Sequence, residues 1–202
     1  MTLKLGLTGS IASGKSTVLK SFAELGVPTF SSDDVVHELY RGEAVAPIEA
    51  LFPGATRAGE VDRAELSRQL VAAPDKLRPL EAIVHPLVRA RIAAFLAESA
   101  AAGAALAVVD IPLLYETGYA YGLDKVAVTA APDRVIRERA LARPGMTVEK
   151  LDAILARQLP QAEKLRRADY MIDTSGTLAD TSNAVAALVE TLTKPKSPSE
   201  TP

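Results

Sequence analysis

The chain has 202 residues, a formal net charge of −2, no Cys, no Trp and two His, with 48% hydrophobic and 24% charged residues. That length buries a sizeable core without disulfide or metal staples, so one core domain, with or without insertions, is expected. The absence of Cys excludes disulfide frameworks, zinc fingers, iron–sulfur sites and thiol nucleophiles; two His cannot build a three-His metal site; and the nearly balanced charge excludes a global electrostatic grip on nucleic acid.

Leu3 to Thr8 is a short, mostly apolar run, consistent with a buried parallel strand. It enters the small-residue loop Gly9 to Gly14 without the basic start and cleavage region of a signal peptide. No apolar run reaches the length of a membrane helix, so the expected location is the cytoplasm. Lys15 to Leu25 has helix character with Gly26 as terminator, and Val27 to Phe30 reads as a second strand. This strand–loop–helix–strand opening predicts an α/β fold with parallel strands.

The middle of the chain changes texture. Asp34 to Leu51 reads as mostly helical, with breaks at Pro47, Pro53 and Gly54. Asp62-Arg63-Ala64-Glu65 has a capping-box form and starts another helix. Pro79 and Pro86 punctuate the helices that follow, and the Ala-rich stretch Glu98 to Ala107 reads as helix. No strand is expected from about Ser31 to Gly103, so this region reads as a helical insertion.

Strands return at Leu106 to Ile111 and Lys125 to Thr129. Asp133 to Arg143 is a strongly basic helix broken by Pro144-Gly145, and one helix is expected from Val148 to about Arg167. Tyr170 to Ile172 reads as a last strand and Leu178 to Thr193 as a final helix. The tail from Lys194, rich in Pro, Ser and Lys, reads as disordered.

Gly9-Ser10-Ile11-Ala12-Ser13-Gly14-Lys15-Ser16 fits G-x-x-x-x-G-K-[ST]. Backbone N–H groups must turn inward around a phosphate, so Gly is needed where a Cβ would clash or φ is positive. Lys15 reaches the outer phosphates, the Ser16 hydroxyl suits Mg²⁺, and the helix N-terminus favours anions. A GTPase needs an Asn-Lys-x-Asp type guanine reader, and the single Asn of this chain, Asn183, lies in the last helix. The strand ending at Asp110 resembles a Walker-B strand, but Ile111 follows where many motor ATPases carry an acid. A small chain with a helical insertion points to a small-molecule kinase.

Further blocks carry a more selective pattern. Leu5 to Thr17, Phe30-Ser-Ser-Asp-Asp-Val-Val-His37, His85-Pro-Leu-Val-Arg89, Asp110-Ile-Pro-Leu-Leu-Tyr-Glu116, and Gln158 to Asp173 with Lys164-Leu-Arg-Arg-Ala-Asp169 inside it stand in this order along the chain. Together they resemble the dephospho-CoA kinase family from Leu3 to about Leu192. The phosphate loop alone is shared by many enzymes; the D-I-P-L-L-Y-E and H-P-L-V-R blocks are far more selective. The resemblance implies ATP-dependent phosphorylation of the ribose 3′-hydroxyl of dephospho-CoA, the last step of coenzyme A synthesis. It also implies a P-loop NTPase-type parallel sheet flanked by helices, with a helical substrate-binding insertion and a lid. The expected division is a core of residues 1–33 and 104–193 with a lid at about 134–150, a helical acceptor-binding insertion at 34–103, and a disordered tail at 194–202. The chain departs from the family pattern at Ser31, Ser10, Ala12, Ile154 and Thr174, where Asp, Gly, Gly, Arg and Asn are common.

The resemblance assigns ATP to Gly9, Ser10, Ile11, Ala12, Ser13, Gly14, Lys15, Ser16 and Thr17, with Mg²⁺ at Ser16 and Asp110. Asp110 could hold the metal through water or serve as a strand-end hydrogen-bond acceptor. Asp33 follows the second strand, where α/β ligand sites form, and the resemblance makes it the catalytic base; the competing role is helix N-cap, for which Asp34 is the better candidate. His37, four residues beyond, could touch the acceptor or be structural. His85 precedes Pro86, which biases it toward extended backbone, and either contacts the acceptor or packs. Arg89 suits the anionic acceptor through its planar fork. Pro112 and Leu113 shape the loop after the Asp110 strand, and Glu116 orients substrate-side groups. The family places a lid at the Arg cluster: Arg139 is assigned to the moving phosphoryl and Arg143 to ATP, with Arg134 and Arg137 left as a solvated face. The expected partner is dephospho-CoA, with no nucleic acid or membrane, acting as a monomer or small homo-oligomer. The alternatives are another small-molecule or nucleoside kinase and a non-catalytic nucleotide-dependent switch.

Overall fold

A computed structural model of the chain describes residues 1–194. The expectation of a disordered tail falls, beyond Lys194, on residues 195–202, outside the described residues. The chain forms two compact units: Met1–Phe30 with Leu96–Pro202, described through Lys194, and Ser31–Phe95.

The first unit is a five-stranded parallel sheet flanked by helices. Its strands are β1 (Leu3–Gly9), β2 (Thr29–Ser31, whose last residue opens the second unit), β5 (Leu106–Asp110), β6 (Lys125–Ala130) and β7 (Tyr170–Asp173). They lie in the order β2-β5-β1-β6-β7. β1 is central, and pairs with β5 through Leu7↔Asp110 and with β6 through Gly9↔Thr129. Its five residues Leu5–Gly9 are all buried, as a strand covered on both faces requires. Leu5, Leu7, Val18, Phe22, Val108, Ala127, Ile172 and Val185 form the core. Each fully buried Leu there contributes about 1.5–3 kcal/mol. The packing helices are α1 (Lys15–Glu24), ended by Gly26 at φ +76, and α9 (Leu178–Thr193), started by a Thr177–Asp180 capping box.

The single helix expected from Val148 to about Arg167 is two: α7 (Val148–Leu155) and α8 (Gln161–Arg167). Pro160, at φ −52 and ψ 143, stands between them; it lacks an N–H and biases its predecessor away from helix. α6 (Asp133–Leu141) precedes them and ends before Pro144.

The second unit holds α2 (Ser32–Leu39), α3 (Val45–Leu51), α4 (Arg63–Ala72), a 3₁₀ turn (Pro74–Lys76) and most of α5 (Leu77–Ala101). Their apolar faces meet at Leu39, Ile48, Phe52, Leu66, Leu80 and Val84. It also holds a hairpin of β3 (Thr56–Arg57) and β4 (Glu60–Val61), which corrects the expectation of no strand between Ser31 and Gly103. The turn residues Ala58 (φ 52) and Gly59 (φ 82) both take positive φ, as a tight hairpin turn demands, although Ala carries no turn signal. Pro47 does not break α3: it is its third residue, where no intrahelical N–H bond is needed. Pro79 and Pro86 likewise lie within α5, held helical by burial of Leu80 and Val84. The Ala-rich helix ends at Ala101, and Leu106 and Ala107 belong to β5.

Candidate active site

β1 delivers the chain at Gly9 into the phosphate loop, and α1 begins at Lys15. Gly9 has no room for a side chain: an added Cβ would sit 2.2 Å from Thr129 Oγ1 and 2.5 Å from Ser13 Oγ. Gly14, the N-cap of α1, has φ +87, which L side chains avoid. Ala12 also takes positive φ, 58°, and this strained position is held by packing with Ala140 and Leu151. Lys15 Nζ lies 3.4 Å from Asp110 Oδ1, with side-chain exposures of 13% and 5%. The register that sets Asp110 beside Leu7 thus puts a buried carboxylate next to the loop lysine. Ser16 is exposed in the first turn of α1.

Three residues distant in sequence hold the loop. Ser13 Oγ and Thr129 Oγ1 are 2.6 Å apart. The buried Thr174 hydroxyl, just past β7, faces two carbonyl oxygens, Ser13 O at 2.8 Å and Ala130 O at 3.1 Å. The Ile11 N–H donates to Gln158 Oε1 at 3.1 Å. Thr174 also anchors the Arg cluster, because Arg139 Nη2 donates to its carbonyl oxygen at 2.7 Å. Arg143 is exposed beyond α6. Arg134 and Arg137 pair with Glu138 and Asp152 at 2.8 and 2.9 Å on the surface.

After β5, the Pro112 carbonyl accepts from Thr8 Oγ1 at 3.3 Å, and Leu113 is exposed. Glu116 is committed inside the protein: its Oε1 lies 2.9 Å from Lys164 Nζ and accepts from the Leu159 N–H at 2.8 Å. Lys164 is fully buried. Burial alone would raise the Glu116 pKa; the hydrogen bonds from Lys164 and Leu159 and the Lys164 charge outweigh it and hold the carboxyl below its ordinary value.

In the second unit, Ser31 caps α2, its Oγ accepting from the Asp34 N–H at 3.2 Å. The capping role weighed for Asp33 and Asp34 therefore belongs to Ser31, because the backbone leaves β2 still extended there and turns helical one residue later. Asp33 is exposed in the first turn of α2, and its carboxylate makes no hydrogen bond or ion pair with the described residues. His37 lies one turn further, with its Nε2 hydrogen-bonded to Arg63 Nη1. His85 is helical rather than extended, and with Arg89 at i+4 it shares one face of α5, both half-buried.

The structure thus gathers Lys15, Asp110, Arg139 and the loop in the first unit, and Asp33 and His37 on one helix of the second. Thr129, which contacts Ser13, and Lys164, which pairs with Glu116, belong to no motif that gives them those contacts. Gln158 and Lys164 lie in the segment Gln158 to Asp173, but nothing local marks a lysine for burial. Among the described residues no group of three or more His, Cys, Asp or Glu forms a metal cage, and no helix is long and apolar enough to cross a membrane.

The dephospho-CoA kinase family model matches residues 3–180. The dephospho-CoA kinase of Rhizobium meliloti (strain 1021) is 53% identical over 188 residues, which cover 93% of this chain and 97% of the relative. A Thermus thermophilus protein of solved crystal structure superposes with a TM-score of 0.78 at 34% identity, over 96% of this chain and 99% of that one. The dephospho-CoA kinase from Campylobacter jejuni superposes with a TM-score of 0.73 at 27% identity, over 96% and 98% of the two chains.

Proposed function

The chain belongs to the dephospho-CoA kinase family, and we propose that it transfers the γ-phosphoryl group of ATP to the 3′-hydroxyl of dephospho-CoA, giving CoA and ADP. The observation that carries this reading is the phosphate loop at the end of the central strand, with Lys15 paired to the buried Asp110. Little covalent chemistry is required of a protein that moves a phosphoryl group; positioning and charge stabilisation do most of it.

Each residue then has a stated task. The amides from Gly9 to Thr17 cradle the phosphates, and Lys15 neutralises their outer oxygens. Arg139, oriented by the Thr174 carbonyl, stabilises the charge on the moving phosphoryl, and Arg143 contacts ATP. Asp33 accepts the proton of the attacking hydroxyl; its freedom from internal partners supports that role. His37, His85 and Arg89 bind the acceptor, and Pro112, Leu113 and Glu116 shape the loop facing it. Residues 34–103 form the acceptor-binding region, and about 134–150 the lid that excludes water.

The donor set suits Mg²⁺: the Ser16 hydroxyl and the Asp110 carboxylate are hard oxygen ligands, and Mg²⁺ takes one or two such groups plus substrate phosphates. Held by Ser16 and Asp110, such an ion would supply charge neutralisation for the phosphates during transfer. The protein works in the cytoplasm as a monomer or small homo-oligomer, without nucleic acid or membrane; its near-balanced charge supports the absence of a nucleic-acid partner.

Coupled measurement of ADP release tests the reading. ADP release should require both dephospho-CoA and Mg²⁺, and should fall to background with adenosine, nucleoside monophosphates or shikimate as acceptor. ATP binding without acceptor-dependent ADP release would instead mark a nucleotide switch, and equal turnover of the other acceptors a kinase of different specificity.

A further inference from the structure

Arg63 occupies an electrostatically awkward position. It is the first residue of α4, next to the helix N-terminus whose exposed N–H groups already carry positive partial charge, so a cation there is disfavoured by the helix itself. The neighbouring carboxylates are engaged elsewhere. Asp62 caps α4 by accepting from the Ala64 and Glu65 N–H groups at 3.1 Å each, and its other oxygen lies 3.9 Å from Arg57. Glu65 is taken by Arg68 at 2.6 Å and by Gln69 at 2.9 Å, which holds its pKa down to about 2. Glu60 pairs with Arg41 at 3.2 Å.

The partner Arg63 does have is the imidazole of His37, through Nε2. A guanidinium has no acceptor, so it donates and Nε2 accepts; the bond orients the side chain without cancelling its charge. Among the described residues Arg63 forms no ion pair, whereas Arg41, Arg57, Arg68 and Arg91 of the same unit each do. An exposed guanidinium that is held in place, left uncompensated and set against a helix N-terminus is suited to bind an anion, and its fork suits a phosphate group.

We propose that Arg63, oriented by His37, is a specificity-determining residue that binds a phosphate of the acceptor's diphosphate group. This rests on the proposed function, since it takes dephospho-CoA as acceptor. The sequence motifs give Arg63 only a place in a helix-start pattern, and its task is recognition of the acceptor rather than chemistry at its hydroxyl.

The test is steady-state kinetics of the full chain as wild type, Arg63→Ala, Arg63→Lys and Arg68→Ala, with KM measured separately for ATP and dephospho-CoA. Arg63→Ala should raise KM for dephospho-CoA by about tenfold or more, as loss of a charge-assisted bond does, with KM for ATP within twofold and kcat within threefold of wild type. Arg63→Lys should fall between the two, because it keeps the charge and loses the fork. Arg68→Ala removes the same charge from the same helix and should change neither KM. A dephospho-CoA KM within twofold of wild type in folded Arg63→Ala overturns the proposal, as does an equal shift in Arg68→Ala or a shift confined to ATP. If Arg63→Ala does not fold, Arg63→Gln, which removes the charge and keeps much of the side chain's length, decides: a dephospho-CoA KM within twofold of wild type overturns the proposal. No wild-type turnover of dephospho-CoA overturns the functional reading itself, and this inference with it.

Discussion

The Thr174 hydroxyl lies 2.8 Å from the carbonyl oxygen of Ser13, across 161 positions of sequence. The segment after the edge strand β7 thereby holds the phosphate loop beside the central strand. The same residue's carbonyl accepts from Arg139, so loop and Arg cluster share one anchor.

Thr174→Val keeps the shape and removes the donor. Two buried carbonyls, of Ser13 and Ala130, then lose their shared hydroxyl, at a cost of about 1–3 kcal/mol. The melting temperature should fall and KM for ATP should rise several-fold. Thermal melts with ATP titrations check this; unchanged values for both would remove Thr174 as the loop's anchor.

Gly9→Ala tests the close approach. The new methyl would overlap the Thr129 and Ser13 hydroxyl oxygens and sit 3.0 Å from the Thr129 carbonyl, so the loop must shift. Overpacking of this kind costs about 1–3 kcal/mol. ATP affinity, measured by calorimetry, should drop by roughly tenfold, the equivalent of about 1.4 kcal/mol. Wild-type affinity would show that the loop does not depend on that contact.

Glu116 and Lys164 make a pH-dependent clamp. The folded Glu116 carboxyl titrates below its unfolded value of about 4.3, so it contributes stability that is fully present above that pH and lost as pH falls through the folded pKa. Glu116→Gln leaves the buried Lys164 without its counter-charge and should destabilise the protein at pH 7 by a few kcal/mol, on the order of 3–5 for a fully broken pair. Denaturant titrations should show the gap between wild type and variant narrowing as pH drops from 5 to 3. A gap constant with pH would mean the carboxylate charge contributes nothing.

Asp33→Asn removes the proposed proton acceptor at nearly constant shape. Turnover should drop by about 10²–10⁴, the usual worth of general base catalysis, with KM for ATP little changed. Because Ser31, not Asp33, caps α2, the melting temperature should stay close to wild type. A large loss of stability with turnover retained would return Asp33 to a structural role.

The phosphate loop was legible because its demands are local: Gly where φ is positive or a Cβ would clash, then Lys and Ser at the helix start. β1, β5 and β6 were legible because strands buried on both faces read as mostly apolar runs. The hairpin at Thr56–Val61 was not, because two-residue strands are too short for a period and Ala58 carries no turn signature. The helical state of His85-Pro86 was hidden too, since a local proline bias yields to the burial of Leu80 and Val84.

The sequence by itself determined the nucleotide loop, the parallel α/β class and the family, since each rests on residue types at short, set spacings. Only the tertiary structure decided which polar groups share a partner: Thr174 with Ser13, Lys164 with Glu116, His37 with Arg63. Those pairings depend on strand register and helix packing between segments tens to more than a hundred residues apart. No local propensity encodes them, and they set whether a charge is spent inside the fold or left for a ligand.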